Sequence, residues 1–318
     1  MRVRTAIAPL LALVVCAGTA RATLVPAIPG WTAHVIVSGI PDVLPCSITA
    51  DPATGDLFSI NYGAAEGPVT LNRISPAGVV TTLAVLPFIY PGTLEFDATA
   101  HVLYHSTPSG VERRDAAGTL LSTIPLTGLT PLGTFPIAIG PGGRLFTFTS
   151  GGIGSIRIML FDESLESWTP WRDVPLPPPY SGTDIAYLRN GDTMALDFDA
   201  AGRAYVDIPG GVLLRVDDGG PVTLGSSFFQ EDMVVSANLL LWNNALYDLS
   251  GGATGMTFVV AGDVEFALAG RSGDTFYLVD RPAVINDPNY TVSIVAITKA
   301  SVVPAMRTSW GALKSRFR

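Results

Sequence analysis

The chain has three histidines and two cysteines, its first candidates for metal or nucleophilic chemistry. His101 and His105 stand four apart in a segment with strand character. At period two they share a face with Leu103, and two imidazoles on one strand face bind a metal if a neighbouring blade of sheet adds a carboxylate. The plainer expectation is a pair of solvent-facing or hydrogen-bonded histidines. Cys46 lies in the apolar run VLPCSI and is expected as a small buried core residue. A nucleophilic role would need a histidine and a third orienting group, and the sequence names neither. GxxxxGK, HExxH, CxxC and GxSxG motifs are all missing. Gly151-Gly152-Ile153-Gly154 lacks the GxGxxG spacing and reads as a turn. In Asp197-Phe198-Asp199 with Gly202, the start of a calcium loop has no closing Glu at its twelfth position, so this too reads as a turn.

The most unusual local composition is WTPWRDVPLPPPY, residues 168–180. Proline fixes φ and favours extended backbone, and aromatics held on a stiff loop lose little entropy when they bind. Trp168, Trp171 and Tyr180 are therefore candidate ligand-gripping residues for a saccharide, peptide or protein. The competing expectation is an insertion that packs these rings on its own sheet.

The elements that must position such residues follow from a repeat. SITADPATGDLFSI (47–60), LEFDATAHVLYHS (94–106), AIGPGGRLFTF (138–148), LDFDAAGRAYVDI (196–208), ALAGRSGDTFYLV (267–279) and a degenerate VVSANLLLWNN (234–244) share one pattern. Each is an apolar strand, a tight turn, then a second strand carrying an aromatic: Phe58, Tyr104, Phe146, Tyr205, Trp242 and Phe276. Asp51, Asp97 and Asp199 open the turns, and Gly55, Gly143, Gly202 and Gly273 give them backbone freedom. Further strand pairs, such as 71–86, 111–126 and 213–225, follow these hairpins. Short strands in a supersecondary unit of about 44 residues predict an all-β fold. It is a six-bladed β-propeller of four-stranded antiparallel blades, its ring closed by an N-terminal strand at 32–40 pairing with 290–298. Blade five, about 231–265, is the least regular and is expected to be shortened.

The pattern VDxxGxLYV followed by VxRΦxxxGxxxTΦ, best matched by 196–224, resembles NHL-repeat, gluconolactonase-like and streptogramin-lyase-like six-bladed propellers. The resemblance covers about 32–298. It implies the architecture and leaves function open, because these families include lactonases, lyases and binding modules. A gluconolactonase-like enzyme implies a divalent ion in the central channel, Ca2+ or a similar metal on oxygen ligands, that polarises a lactone carbonyl or activates water. Glu66-Gly67-Pro68 is similar to a segment carrying a metal-ligand Glu in that family, although here it follows its strand and falls in a hairpin. Glu95, Asp184 and Glu231 lie just upstream of strands expected near the axis and complete this candidate ligand set. The lyase resemblance implies a catalytic histidine late in the chain, and none follows His105.

Compartment is read from the ends. Arg2 and Arg4, the apolar run Ala6–Gly18 and Ala20-Arg21-Ala22 read as a secretory signal over residues 1–22, cleaved after Ala22. The 16 uncharged residues between Arg4 and Arg21 are fewer than the roughly 20 that span a bilayer. The alternative, a lipoprotein acylated at Cys16, has Val15 where a small residue is expected. No later stretch reaches transmembrane length without charges. The product is expected to be secreted, periplasmic or on the cell surface of a bacterium. Residues 23–298, the propeller, carry 11 Arg against 27 acids, and residues 299–318 carry five cations and no acid. An acidic body argues against nucleic acid as a partner. The basic tail is similar to short C-terminal sorting tails of secreted bacterial proteins, which implies envelope attachment. Three function classes follow: a binding module without catalysis, a metal-dependent lactonase-type hydrolase, and a structural component of an extracellular assembly.

Overall fold

A sheet that is apolar on both faces needs a neighbour on each, and a ring of sheets supplies one to every member. The computed structural model describes residues 30–41, 45–61, 69–86, 92–129, 135–184, 195–208, 212–226, 233–242, 245–249, 255–257, 270–272, 274–280 and 291–299. They form six four-stranded antiparallel sheets. The predicted signal segment 1–22, Glu66, Glu231 and the tail beyond Lys299 lie outside the described residues.

Strand β1 (Trp31–Pro41) comes first in the chain. Blade 1 is β2 (Pro45–Ala50), β3 (Leu57–Asn61), β4 (Val69–Ile74) and β5 (Val80–Leu86), from axis to rim. Blade 2 is β6 (Leu94–Asp97), β7 (Val102–Thr107), β8 (Gly110–Asp115) and β9 (Leu120–Ile124). Blade 3 is β10 (Ile137–Ile139), β11 (Leu145–Gly152), β12 (Ser155–Asp162) and β13 (Ser167–Pro175). Blade 4 is β14 (Ala195–Phe198), β15 (Ala204–Ile208), β16 (Val212–Asp217) and β17 (Gly220–Ser226). Blade 5 is β18 (Met233–Ser236), β19 (Leu239–Trp242), β20 (Ala245–Asp248) and β21 (Gly255–Thr257). It has short strands but the full complement of four. In blade 6, β22 (Gly270–Ser272), β23 (Thr275–Asp280) and β24 (Thr291–Lys299) are completed at the rim by β1. There Trp31 pairs with Lys299 and Val35 with Val295. The innermost strands touch in the circle β2–β6–β10–β14–β18–β22–β2, so no inner strand is left with a bare flank.

Six apolar clusters fill the six seams between blades, one each. At the seam of blades 3 and 4, Phe146, Phe148, Val206 and Leu214 are fully buried. Each such side chain contributes on the order of 1.5–3 kcal/mol by leaving water. Near the axis, inner-strand side chains satisfy backbone N–H groups of the next blade. Ser47 Oγ accepts from Leu94 N at 2.9 Å, Thr93 Oγ1 from Ile137 N at 2.9 Å, and Asp197 Oδ2 from Val235 N at 2.7 Å. The turn aspartates behave as their type predicts. Asp51 Oδ1 accepts from Ala53 N, Asp97 Oδ1 from Thr99 N, and Asp199 Oδ1 from both Ala201 N and Arg203 N.

The structure adds one feature to the repeat and corrects one expectation. The aligned aromatics do not all face the same way: Phe58, Tyr104, Phe146 and Tyr205 pack against the following blade, whereas Trp242 and Phe276 pack against the preceding one. Blades 5 and 6 close their inner hairpins at Ser236 opposite Leu239 and Ser272 opposite Thr275. These turns are shorter than those of the other four blades. The correction concerns residues 168–175, which are not a loop. They lie in β13, the outermost strand of blade 3.

Candidate functional site

Blade 3 has the long strands β11, β12 and β13, and its rim strand brings the proline-rich aromatics to two different seams. Trp168 is 7% exposed, lies 5.3 Å from Phe161 and donates its indole N–H to Pro125 O at 2.9 Å, in the seam with blade 2. Trp171 faces the other way, with its ring 5.4 Å from Phe146 and 5.8 Å from Phe198, edge to face. Tyr180, in a short 3-10 turn, packs on that same seam with blade 4. The three candidate ligand residues are therefore divided between two seams, and Trp171 is the one that also lines an open groove.

That groove runs between blades 3 and 4 on the face that bears the inner turns. Its outer part, about 410 Å³, is lined by Trp171, Arg172, Gly202, Arg203, Asp217 and Asp218 among others. Its inner part, about 300 Å³, is lined by Gly140, Pro141, Phe198, Asp199 and Ala237. Gly202 belongs to both; its φ of 80° is one that glycine adopts without strain. These volumes are in the range of small-ligand clefts.

Charge in the groove is arranged in pairs. The Arg172 guanidinium lies 4.9 Å over the Trp171 ring. It donates to Asp217 O at 3.0 Å and to Asp218 Oδ1 at 2.9 Å, both across the seam. Arg215 makes two bonds to the Asp217 carboxylate, at 2.7 and 2.6 Å. Those bonds, with the Arg215 charge, hold Asp217 below the usual carboxylate range despite some desolvation. Asp199 receives Arg203 Nε at 2.6 Å and the Tyr205 hydroxyl at 3.1 Å. Such a set of ionised, paired groups is suited to gripping a polar ligand. The described lining of the groove contains no histidine or cysteine.

The other titratable cluster is buried in blade 2. His101 is exposed in the turn before β7, with φ 53°, and so shares no strand face with His105. His105 is 2% exposed, and its Nδ1 lies 3.5 Å from Glu112 Oε2 on the adjacent strand. Arg114 donates to the same oxygen through Nε and a terminal nitrogen, at 2.9 and 2.7 Å, and to Gly118 O at 2.8 Å. Burial pushes the Glu112 pKa up, but hydrogen bonds from His105 and Arg114 and the Arg114 charge outweigh it, leaving the carboxyl below its ordinary 4.5. This cluster is enclosed and opens on no groove described here.

Of the candidate metal ligands, Glu95 is half-buried on β6 opposite Tyr104. Asp184 is half-buried and accepts a short bond from Ser150 Oγ. Among the described residues, no three His, Cys, Asp or Glu side chains gather as a metal site. The described part of the proposed donor set thus does not by itself make a cage for a hard cation. Nor is any helix among these residues long and apolar enough to cross a membrane.

No protein-family model matches the sequence, and no curated protein sequence matches it. Solved structures do resemble this chain in fold. The fold is a six-bladed β-propeller. An auxiliary nutrient binding protein from Bacteroides thetaiotaomicron is similar with a TM-score of 0.54 and 10% identity, over 84% of this chain and 76% of that one. The PQQ-bound aldose sugar dehydrogenase of Streptomyces coelicolor gives 0.52 and 15%, over 86% and 99%. A protein designated a gluconolactonase gives 0.52 and 15%, over 88% and 96%. At these identities the likeness is one of fold, and the three differ in function.

Proposed function

We propose that the protein is a secreted or cell-surface β-propeller that binds a ligand in the groove between blades 3 and 4 and has no catalysis of its own. The observation that carries this reading is the groove itself. It is an open polar cleft where an indole, a stacked guanidinium and paired carboxylates from two blades converge. Export rests on Arg2, Arg4 and the apolar run before Ala22, and attachment to the envelope on the basic residues 299–318. The ligand class is a saccharide or a peptide, since an aromatic beside fixed polar groups recognises both.

The test uses protein beginning at Thr23 on glycan and peptide arrays, with Trp171→Ala beside it and a melting scan to confirm that the variant is folded. Array binding that falls at least tenfold in the folded variant supports the reading; binding indifferent to Trp171 removes it. The same preparation is assayed for bound metal, with and without chelator. One equivalent of a divalent ion together with hydrolysis of a lactone panel would replace the binding-module reading by the lactonase-type one.

A further inference from the structure

We propose that the ligand of this groove is an acidic saccharide, its carboxylate taking the place of Asp218 on the Arg172 guanidinium. The proposal rests on the reading that the groove binds a ligand, and adds the ligand's chemistry.

Arg172 is held as a receptor for a planar anion. The Trp171 ring supports it from one side at 4.9 Å, and Trp171 is itself wedged edge-on against Phe146 and Phe198. One nitrogen is fixed by the backbone carbonyl of Asp217. The remaining described partner is the Asp218 carboxylate, on a side chain that is 100% exposed. A solvent-exposed pair of this kind is weak. Exchanging Asp218 for a ligand carboxylate keeps the guanidinium where it is, so little ordering entropy is lost on binding. A guanidinium also matches a carboxylate with two parallel hydrogen bonds.

The charge of the surroundings selects for the same ligand. Residues 23–298 carry 11 Arg against 27 acids, yet two of those arginines, Arg172 and Arg203, line this groove. Asp199 and Asp217 are already bound by Arg203 and Arg215. An anionic ligand is repelled by most of the body; in this groove, on displacing Asp218, it meets the Arg172 cation that Asp218 had paired. The lining beside Arg172 includes Ala201 and Gly202, both small residues. Small side chains there leave room for a hydroxyl-bearing ring to lie beside the Trp171 indole and the Arg172 guanidinium.

The experiment compares oligogalacturonate and oligoglucuronate (two to four residues) with their methyl esters, which keep the rings and lose the charge. Binding to the Thr23-start chain is followed by indole fluorescence and calorimetry, beside an oligo-glutamate peptide. The acid form should bind about tenfold or more tightly than its ester. Asp218→Asn should tighten the acid by up to about fivefold and leave the ester unchanged. Arg172→Gln should bring acid and ester to parity in a chain whose melt shows it folded. Equal affinity for acid and ester, with both lost in Trp171→Ala, overturns the acidic-ligand proposal and keeps the groove. Preference for the glutamate peptide overturns the saccharide assignment. Binding that ignores Trp171 and Arg172 alike overturns both the proposal and the reading beneath it.

Discussion

Glu112 is the most consequential carboxylate in the described structure. It is 7% exposed, and its Oε2 carries two hydrogen bonds from Arg114, itself 8% exposed, and stands 3.5 Å from His105 Nδ1. Glu112→Gln keeps the volume and removes the charge, leaving the Arg114 cation in the seam of blades 1 and 2 with only Gly118 O as its described partner. Removing one partner of a buried pair costs about 3–5 kcal/mol. At roughly 2 °C per kcal/mol for a domain of this size, the melting temperature should fall by about 6–10 °C. The double variant Glu112→Leu, Arg114→Met takes both charges away and should recover most of that loss, because an apolar replacement of a whole buried pair is nearly neutral. Acid adds an independent check. With the folded-state pKa of Glu112 below its ordinary value, its contribution is present above about pH 4.5 and is lost as pH falls through the folded value. Wild type should therefore lose stability on the acid side more steeply than Glu112→Gln. Calorimetric melts from pH 3 to 7 read both effects. A drop under 2 °C in the single variant, or a double variant no better than the single, would refute the argument.

Two other changes probe the ring and its turns. Gly78 has φ 78°, and a Cβ there would stand 2.5 Å from Ile36 O in β1; Gly78→Ala should loosen the contact of blade 1 with the closing strand. Faster amide exchange confined to 31–41 and 291–299 is the expected readout, and unchanged exchange there would count against it. Tyr205 is fully buried, and burial followed by the Asp199 charge raises its phenol pKa well above 10. Its neutral form is thus favoured on folding, so its contribution is complete below pH 10 and is lost as pH rises beyond it. Tyr205→Phe should cost about 1 kcal/mol at neutral pH and flatten the alkaline limb of the melting curve.

The architecture could be read from the sequence because its punctuation is local. Asp51, Asp97 and Asp199 bond to backbone two to four residues ahead, and such turns declare themselves in a short window. The inner hairpins of blades 5 and 6 close across only two residues, and Trp242 and Phe276, aligned in sequence with the other aromatics, lie on the opposite face from their counterparts. Pro170 made residues 168–180 look like a loop, yet it sits at a bulge opposite Met159 on a rim strand, where a missing N–H breaks no ladder. Trp171 was visible as a candidate. Its partners Asp217 and Asp218 were not, because the bonds that join them to Arg172 cross a seam between residues 45 and 46 positions apart. The same holds for Glu112 and His105, which the register of β7 and β8 brings together.

The closing pair has a mechanical consequence. Trp31, at the start of β1, lies opposite Lys299, at the end of β24, and the two strands run antiparallel from that point. Tension between these positions loads the pair at one end, so it would open rung by rung, each rung yielding before the next bears force. Shear would load every rung together, and this geometry avoids it. A ring sealed in this way resists heat with the combined depth of six seams, but gives way to a pull at the hydrogen bonds of a single strand.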